Sequence, residues 1–251
     1  MIDIMLSGAC GKMGNAVANA VKNNDKFKIV CGLDKKYVNS KYDFEVFETF
    51  DKVSLKPDVI IDFSSPEMLD GLLDFAVNKK VPAVIATTGF SEEQIKKIKS
   101  VSEKIPVFFT FNLSLGINLL KILCKKAAEI LGGDFDIEII EKHHNQKLDA
   151  PSGTALMLAD SINETVSNKY NYEFDRHSRR MKRPKNEIGF HSVRGGTIVG
   201  EHEVIFAGND EVITISHEAY SKAIFANGAL KAAEFLKDKK SGLFNMDDIL
   251  K

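Results

Sequence analysis

The chain has little cysteine, no excess of charge of either sign and no long apolar run. Each shortage excludes something. The three cysteines, Cys10, Cys31 and Cys124, have no paired spacing. That argues against a disulfide framework and fits a reducing, cytoplasmic setting. The 34 basic residues against 35 acidic ones leave a net charge of −1, which gives no general electrostatic basis for nucleic-acid binding. No apolar stretch approaches the ~20 residues of a membrane-spanning helix, and the N-terminus shows no cleavable signal pattern. No internal repeat or low-complexity tract is present. Six histidines raise the question of a metal. The adjacent His143 and His144 would point to opposite faces of a strand, however, and no cysteine pair completes a zinc site, so no metal is expected. A chain of 251 residues, 44% hydrophobic, can still build two modest domains with proper cores.

What is present is concentrated in one stretch, Glu141 to Ala155, reading EKHHNQKLDAPSGTA. It follows an apolar, strand-like run (Ile137, Ile139, Ile140) and precedes a helix-like one, Ala155 to Ala159. The polar cluster therefore sits on a strand-to-helix connection, where a rigid scaffold can present it. His143 can give or take a proton near neutral pH, and Lys147 supplies a cation. Ser152, Gly153 and Thr154 open a helix whose first N–H groups favour an anion; Ser152 also suits the helix cap. Together these describe a site for a carboxylate that gains a proton. Asp149 and Pro151 read as shaping the turn.

The second cluster is near the N-terminus. Ile2 to Leu6 reads as a strand, Gly8-Ala9-Cys10-Gly11-Lys12-Met13-Gly14 as a glycine turn, Asn15 to Val21 as a helix and Phe27 to Leu33 as a second strand. Asp34 closes that strand, 34 − 14 = 20 residues beyond Gly14. This is the layout of a dinucleotide-binding βαβ unit, with an acid placed to grip a ribose hydroxyl. Cys10 has no nearby base and reads as a small loop residue. Further short apolar runs end at Phe63, Ala86 and Phe109, separated by helix-like segments near Glu67–Asn78 and Glu92–Val101. Such runs suit a parallel sheet buried on both faces. Ligands bind at the carboxyl ends of its strands, where the Ser64-Ser65-Pro66 and Thr87-Thr88-Gly89 turns fall.

The second half has a long helical pattern, Leu115 to Leu131. It then turns β-rich over 189–194, 197–206 and 211–218. The basic stretch 168–186 reads as a solvated loop. Phe225 to Leu236 is helical again. His177, His191, His202 and His217 read as surface or satisfied core histidines, and Glu201 has no evident physical role.

These features resemble the dihydrodipicolinate reductase family nearly end to end. Gly8–Gly14 is similar to its cofactor loop, Ala86–Phe90 to its second cofactor segment and Phe111–Asn118 to its interdomain segment. The run His143–Ala155 is similar to its signature. Ile188–Phe190, Arg194, Gly200–His202 and Phe225–Ala229 follow the family as well. The resemblance implies an α/β fold: a Rossmann-like dinucleotide domain (1–114 and 223–251) with an inserted α+β substrate and oligomerisation domain (115–222) on a mixed sheet. It implies NAD(P)H-dependent reduction of 4-hydroxy-tetrahydrodipicolinate in lysine and diaminopimelate biosynthesis by a cytoplasmic homotetramer. The expected roles are His143 and Lys147 for proton supply, and His144, Ser152, Gly153 and Thr154 for the small dicarboxylate. Gly8, Ala9, Gly11, Lys12, Met13, Gly14, Asp34, Lys35, Phe63, Thr87, Thr88, Gly89, Phe111 and Asn112 are expected at the cofactor. Residues near Ser114 and Lys222 are expected hinges for domain closure.

Asp34 favours NADH, whereas Lys12, Lys35 and Lys36 can neutralise the 2′-phosphate of NADPH, so dual use is expected. Three other readings compete. A semialdehyde dehydrogenase needs a nucleophilic cysteine, and Cys124 lies within a helical pattern without a partner; a homoserine dehydrogenase is the related case. A dinucleotide sensor predicts binding that survives loss of His143 and Lys147. Nothing speaks for a structural adaptor.

Overall fold

A computed structural model describes residues 1–35 and 42–250. Lys36 lies outside them. The chain divides into two compact units, Met1–Leu115 with Lys222–Lys251, and Gly116–Ser221.

The first unit contains β1 (Ile2–Ser7), α1 (Lys12–Lys22), β2 (Phe27–Leu33), β3 (Glu45–Phe47), β4 (Val59–Asp62), α2 (Leu69–Lys79), β5 (Ala83–Ile85), α3 (Glu92–Ser102) and β6 (Pro106–Phe109). The helix α4 (Leu115–Leu131) follows. The strands β7 (Asp136–His143), β8 (Asn171–Glu173), β9 (Glu187–Arg194), β10 (Gly200–Ala207) and β11 (Val212–Ala219), with α5 (Gly153–Thr165), build the second unit. The first is completed by α6 (Ala223–Leu236), β12 (Gly242–Phe244) and the short α7 (Met246–Ile249).

Seven parallel strands form the first sheet, in the order β12-β6-β5-β4-β1-β2-β3. Side chains alternate across it as a pleated strand requires. Ile4 and Leu6 of β1 join a core with Val17 and Ala18 of α1 and the alanines of α6. Met5, between them, joins a separate core with Leu72, Leu73 and Ala76 of α2 and Ile98 of α3. Both faces are covered, which is why these strands are apolar throughout rather than alternating. The chain leaves β1 toward β2 and β3, then returns to lay β4 on the other side of β1. That reversal opens a crevice at the carboxyl ends of β1 and β4.

The second sheet is mixed, in the order β11-β10-β7-β9-β8. In it β7 runs parallel to β9 and antiparallel to β10. Helices α4 and α5 cover one face, with Ile117, Leu120, Leu158 and Ile162 against Ile137, Ile139, Phe190 and Phe206. Among the described residues, no helix is long and apolar enough to cross a membrane.

The stretch 168–186 differs from the solvated loop read from sequence. It contributes the edge strand β8, and three of its arginines serve the sheet. Arg176 lies 2.8 Å and Arg183 3.0 Å from Glu138, and Arg179 lies 3.0 Å from Glu187. Burial alone would raise the Glu138 pKa, but hydrogen bonds from Arg183 and His191 bring it below the usual value. Carboxylates half-withdrawn from water need cations, and this stretch supplies them. Arg180, Lys182 and Lys185 remain exposed.

Candidate functional site

In the first unit the glycine loop closes on itself at the crevice. Gly8 has φ +77°, and a Cβ there would lie 2.4 Å from the Phe63 carbonyl oxygen. A Cβ on Gly14 would lie 2.3 Å from the Gly8 carbonyl oxygen. Only glycine fits at either place, so the turn, α1 and β4 meet backbone to backbone. Gly11 is the N-cap of α1; no side chain caps that end and no acid lies in its first turn. Its amides and dipole therefore favour an anion. An open cleft of about 620 Å³ runs past this end, lined among others by Gly8, Gly11, Lys12, Asp34, Lys35 and Phe63. Asp34 Oδ2 accepts the Cys10 N–H at 2.9 Å, tying the acid to the loop. This loop, helix end and acid fit a dinucleotide.

The remaining residues expected at the cofactor are placed differently. Ala9 is buried, and Met13 and Gly14 belong to α1. Thr88 and Gly89 are exposed on the turn after β5, whereas Thr87 is buried and its hydroxyl donates to Asp62 Oδ2 at 2.7 Å. Asp62 also accepts the Ser64 hydroxyl at 2.6 Å. Burial pushes its pKa up against these hydrogen bonds. Asp62 thus joins the two turns at the ends of β4 and β5, a role the sequence did not reveal. Phe111 is exposed, edge-on to Phe109, and the Asn112 side chain accepts the Ser114 N–H at 2.8 Å.

In the second unit the polar cluster grows out of β7. Alternation buries Ile137, Ile139, Glu141 and His143 on one face. The core face of the strand therefore turns from apolar to ionisable at its carboxyl end. Glu141 is fully buried. Its Oε1 accepts Arg194 Nη2 at 2.6 Å and the Ser152 N–H at 3.2 Å, and its Oε2 accepts Arg194 Nη1 at 2.8 Å. The Oε2 also meets His143 Nδ1 at 2.5 Å. Burial alone would raise the Glu141 pKa, but the hydrogen bonds from Arg194, Ser192 and His143 bring it down to about 2. An ionised carboxylate only accepts, so His143 donates from Nδ1 and keeps its lone pair on Nε2. The Nε2 looks over Gly200, where a Cβ would lie only 3.1 Å away. Burial lowers the His143 pKa, Glu141 opposes it, and Lys147 and Arg194 add to the lowering, so the net shift is downward from 6.5. The ring is accordingly neutral at pH 7.

His144 follows the strand end, half-buried, with Nδ1 unpartnered among the described residues. Lys147 Nζ lies 2.8 Å from Asp149 Oδ1. Arg194 reaches the Asp149 carbonyl as well, at 2.5 Å, so one guanidinium ties Glu141 to the loop that carries Lys147. Ser152 caps α5, its Oγ accepting the Ala155 N–H at 3.2 Å. No acid lies in the first turn of α5. Gly153 is exposed, with nothing within 4 Å of where a Cβ would stand. The end of β7, the connection after it and the start of α5 together offer a histidine held by a carboxylate, a cation and an anion site.

Four readings from sequence change here. The sequence alone assigns Glu141 no role, although its spacing of two from His143 puts both on one strand face. Arg194 had only a resemblance; it is the counter-ion of Glu141. His202, read as unremarkable, is 5% exposed and stands edge-on to His143 at 5.1 Å, with Nε2 3.0 Å from Ser152 Oγ. Glu201, without an evident role, pairs with Lys142 at 2.8 Å on the opposite sheet face. The His202 and Arg194 contacts depend on which strands lie beside β7, and no local pattern encodes that.

The comparisons with known proteins agree with this geometry. The family descriptions "Dihydrodipicolinate reductase, N-terminus" and "Dihydrodipicolinate reductase, C-terminus" match residues 2–113 and 116–250. A 4-hydroxy-tetrahydrodipicolinate reductase of Caldanaerobacter subterraneus subsp. tengcongensis is 52% identical, across 100% of this chain and 99% of that one. The Clostridium tetani enzyme of the same name is 50% identical, across 100% and 97%. The dipicolinate-bound dihydrodipicolinate reductase of Paenisporosarcina sp. TG-14 superposes with a TM-score of 0.80 at 28% identity, covering 99% of both chains. With its Rossmann-like unit, its mixed-sheet unit and these relatives over its full length, the chain belongs to the dihydrodipicolinate reductase family, oxidoreductases of lysine and diaminopimelate biosynthesis.

Proposed function

We propose that the first unit binds NADH or NADPH and that the loop after β7 binds and protonates the substrate, 4-hydroxy-tetrahydrodipicolinate, as it becomes tetrahydrodipicolinate. The observation that carries this reading is the Glu141–His143 pair beside Lys147 and the acid-free N-terminus of α5. In the first unit Gly8, Ala9, Gly11, Lys12, Met13 and Gly14 would hold the pyrophosphate end. Asp34 and Lys35 would meet the adenosine ribose, and Phe63, Thr87, Thr88, Gly89, Phe111 and Asn112 would lie toward the nicotinamide. Bound there, the nicotinamide supplies a hydride.

On the substrate side, Ser152, Gly153, Thr154 and His144 hold a carboxylate by charge-assisted hydrogen bonds. Hydride arrival leaves negative charge on the ring, to be quenched by a proton, and the 4-hydroxyl is lost as water on the way, so hydride, proton and water balance the conversion. His143 and Lys147 supply it, with Lys147 also polarising the ring nitrogen. The unliganded imidazole is neutral, but a dicarboxylate brings negative charge beside it. That charge and Glu141 both favour the imidazolium, so the substrate itself arms the acid.

The test is nicotinamide oxidation with substrate formed in place from pyruvate and aspartate semialdehyde by the preceding synthase. Oxidation with neither cofactor, despite clear binding, would leave a dinucleotide sensor as the better account. In the same assay Asp34→Ala should raise KM for NADH more than for NADPH, by about tenfold in their ratio. The loop contact to Cys10 is lost equally for both cofactors, so the ratio isolates the 2′-hydroxyl. Equal losses would remove that contact. We also infer a cytoplasmic homotetramer joined through the sheet face opposite α4 and α5, which carries Ile140 and Ile205. Light scattering should then give about four times the 27.9 kDa chain mass, and a monomer mass would sink this assembly.

A further inference from the structure

Ser152 has one hydroxyl hydrogen, and its direction decides whether the residue can hold a carboxylate. A hydroxyl donates once and accepts twice. One acceptance is committed to the Ala155 N–H. The other close partner is His202 Nε2, 3.0 Å away. If Nε2 is the acceptor, the serine hydrogen is used on it. A carboxylate, which can only accept, then gains nothing from Ser152. If Nε2 carries the proton, it donates to Oγ, and the serine hydrogen is left uncommitted, although Ser152 itself is buried.

Three features select the second arrangement. His202 is buried on β10 directly across from Glu141, and His217 of β11 stands across from it on the other side. Burial, with the neighbouring His143 next in effect, depresses its pKa to about 3, so the ring is neutral and owns a single N–H. Its Nδ1 is buried without a partner among the described residues. A proton placed there would be a donor stranded away from any acceptor. On Nε2 the same proton meets Ser152 Oγ.

We propose that His202 is a positioning residue whose Nε2–H donates to Ser152 Oγ and thereby keeps the serine hydroxyl hydrogen available as a donor to the substrate carboxylate. This rests on the reading above that Ser152 holds a carboxylate, and adds what makes it a donor. The ligand reinforces the choice, because only this tautomer lets an acceptor-only group bind at Ser152.

Dipicolinate is the probe. By titration calorimetry, Ser152→Ala should weaken it about tenfold or more, the loss of one hydrogen bond to a charged group. His202→Leu should weaken it comparably. The double variant should bind no worse than Ser152→Ala alone, within about twofold, because both changes remove the same bond. His202→Gln, whose amide N–H can still donate, should recover to within about threefold of wild type. In ¹⁵N-labelled wild-type protein with dipicolinate, His202 should show a protonated Nε2 and a bare Nδ1, a readout that needs no variant to fold. The opposite tautomer, or additive losses in the double variant, would overturn the proposal while leaving Ser152 at the carboxylate. An unchanged affinity in Ser152→Ala would overturn the carboxylate reading itself, and this proposal with it.

Discussion

Replacing His143 and Lys147 together by alanine is expected to lower kcat about a thousandfold or more, with cofactor affinity unchanged within about twofold. The size follows from what the two side chains supply. A positioned acid contributes about 10²–10⁴-fold, and here His143 ends β7 and Lys147 lies in the connection that follows, so each is expected to compensate in part for loss of the other. Each single variant should therefore lose little, and the double variant more than the product of the two single losses. Cofactor affinity should hold because the glycine loop and Asp34 belong to the other unit. Fluorescence titration of NADH beside steady-state kinetics reads both quantities. A double variant with kcat within about threefold of wild type would place the proton source elsewhere.

The second large effect is expected at Glu141, and two substitutions separate its roles. Glu141→Ala leaves the Arg194 guanidinium, 19% exposed as a side chain, without its counter-ion. Breaking such a pair costs about 3–5 kcal/mol, so a large fall in Tm is expected. Glu141→Gln keeps the shape and should fold, but its amide presents a donor where His143 Nδ1 now donates. The imidazole must then move its proton to Nε2 or rotate, and kcat should fall about 10²-fold or more while KM for the cofactor stays put. A fall in Tm without a fall in kcat would make Glu141 a purely structural group.

The same residue sets a pH signature. The folded Glu141 pKa of about 2 lies below its ordinary value of 4.5. The unfolded chain therefore takes up a proton that the folded carboxylate refuses. Its contribution to stability is complete above the ordinary value and is lost as the pH falls from there toward 2. Wild-type Tm should drop more steeply than that of Glu141→Gln over this acid range. Parallel curves would remove Glu141 as the source.

Much of this protein was settled by local chain chemistry. The glycines at 8 and 14 and the acid at 34 are spaced by the geometry of one strand, one turn and one helix, so a βαβ unit is legible from neighbours in sequence. The same holds for the Ser152 cap and for the strand-to-helix setting of His143 and Lys147. Period-two alternation even places Glu141 on the face of His143, although its meaning as a buried anion needs Arg194 to be seen. What only the tertiary structure decided is which strands flank β7. Register with β9 brings Arg194 to Glu141, 53 residues away, and register with β10 brings His202 to Ser152, 50 residues away. It also turned the arginines of 168–186 from solvated charges into counter-ions of Glu138 and Glu187. Pairings at such separations are set by the packing of whole sheets, so the chemistry of the site is written locally while its electrostatic control is written in the fold.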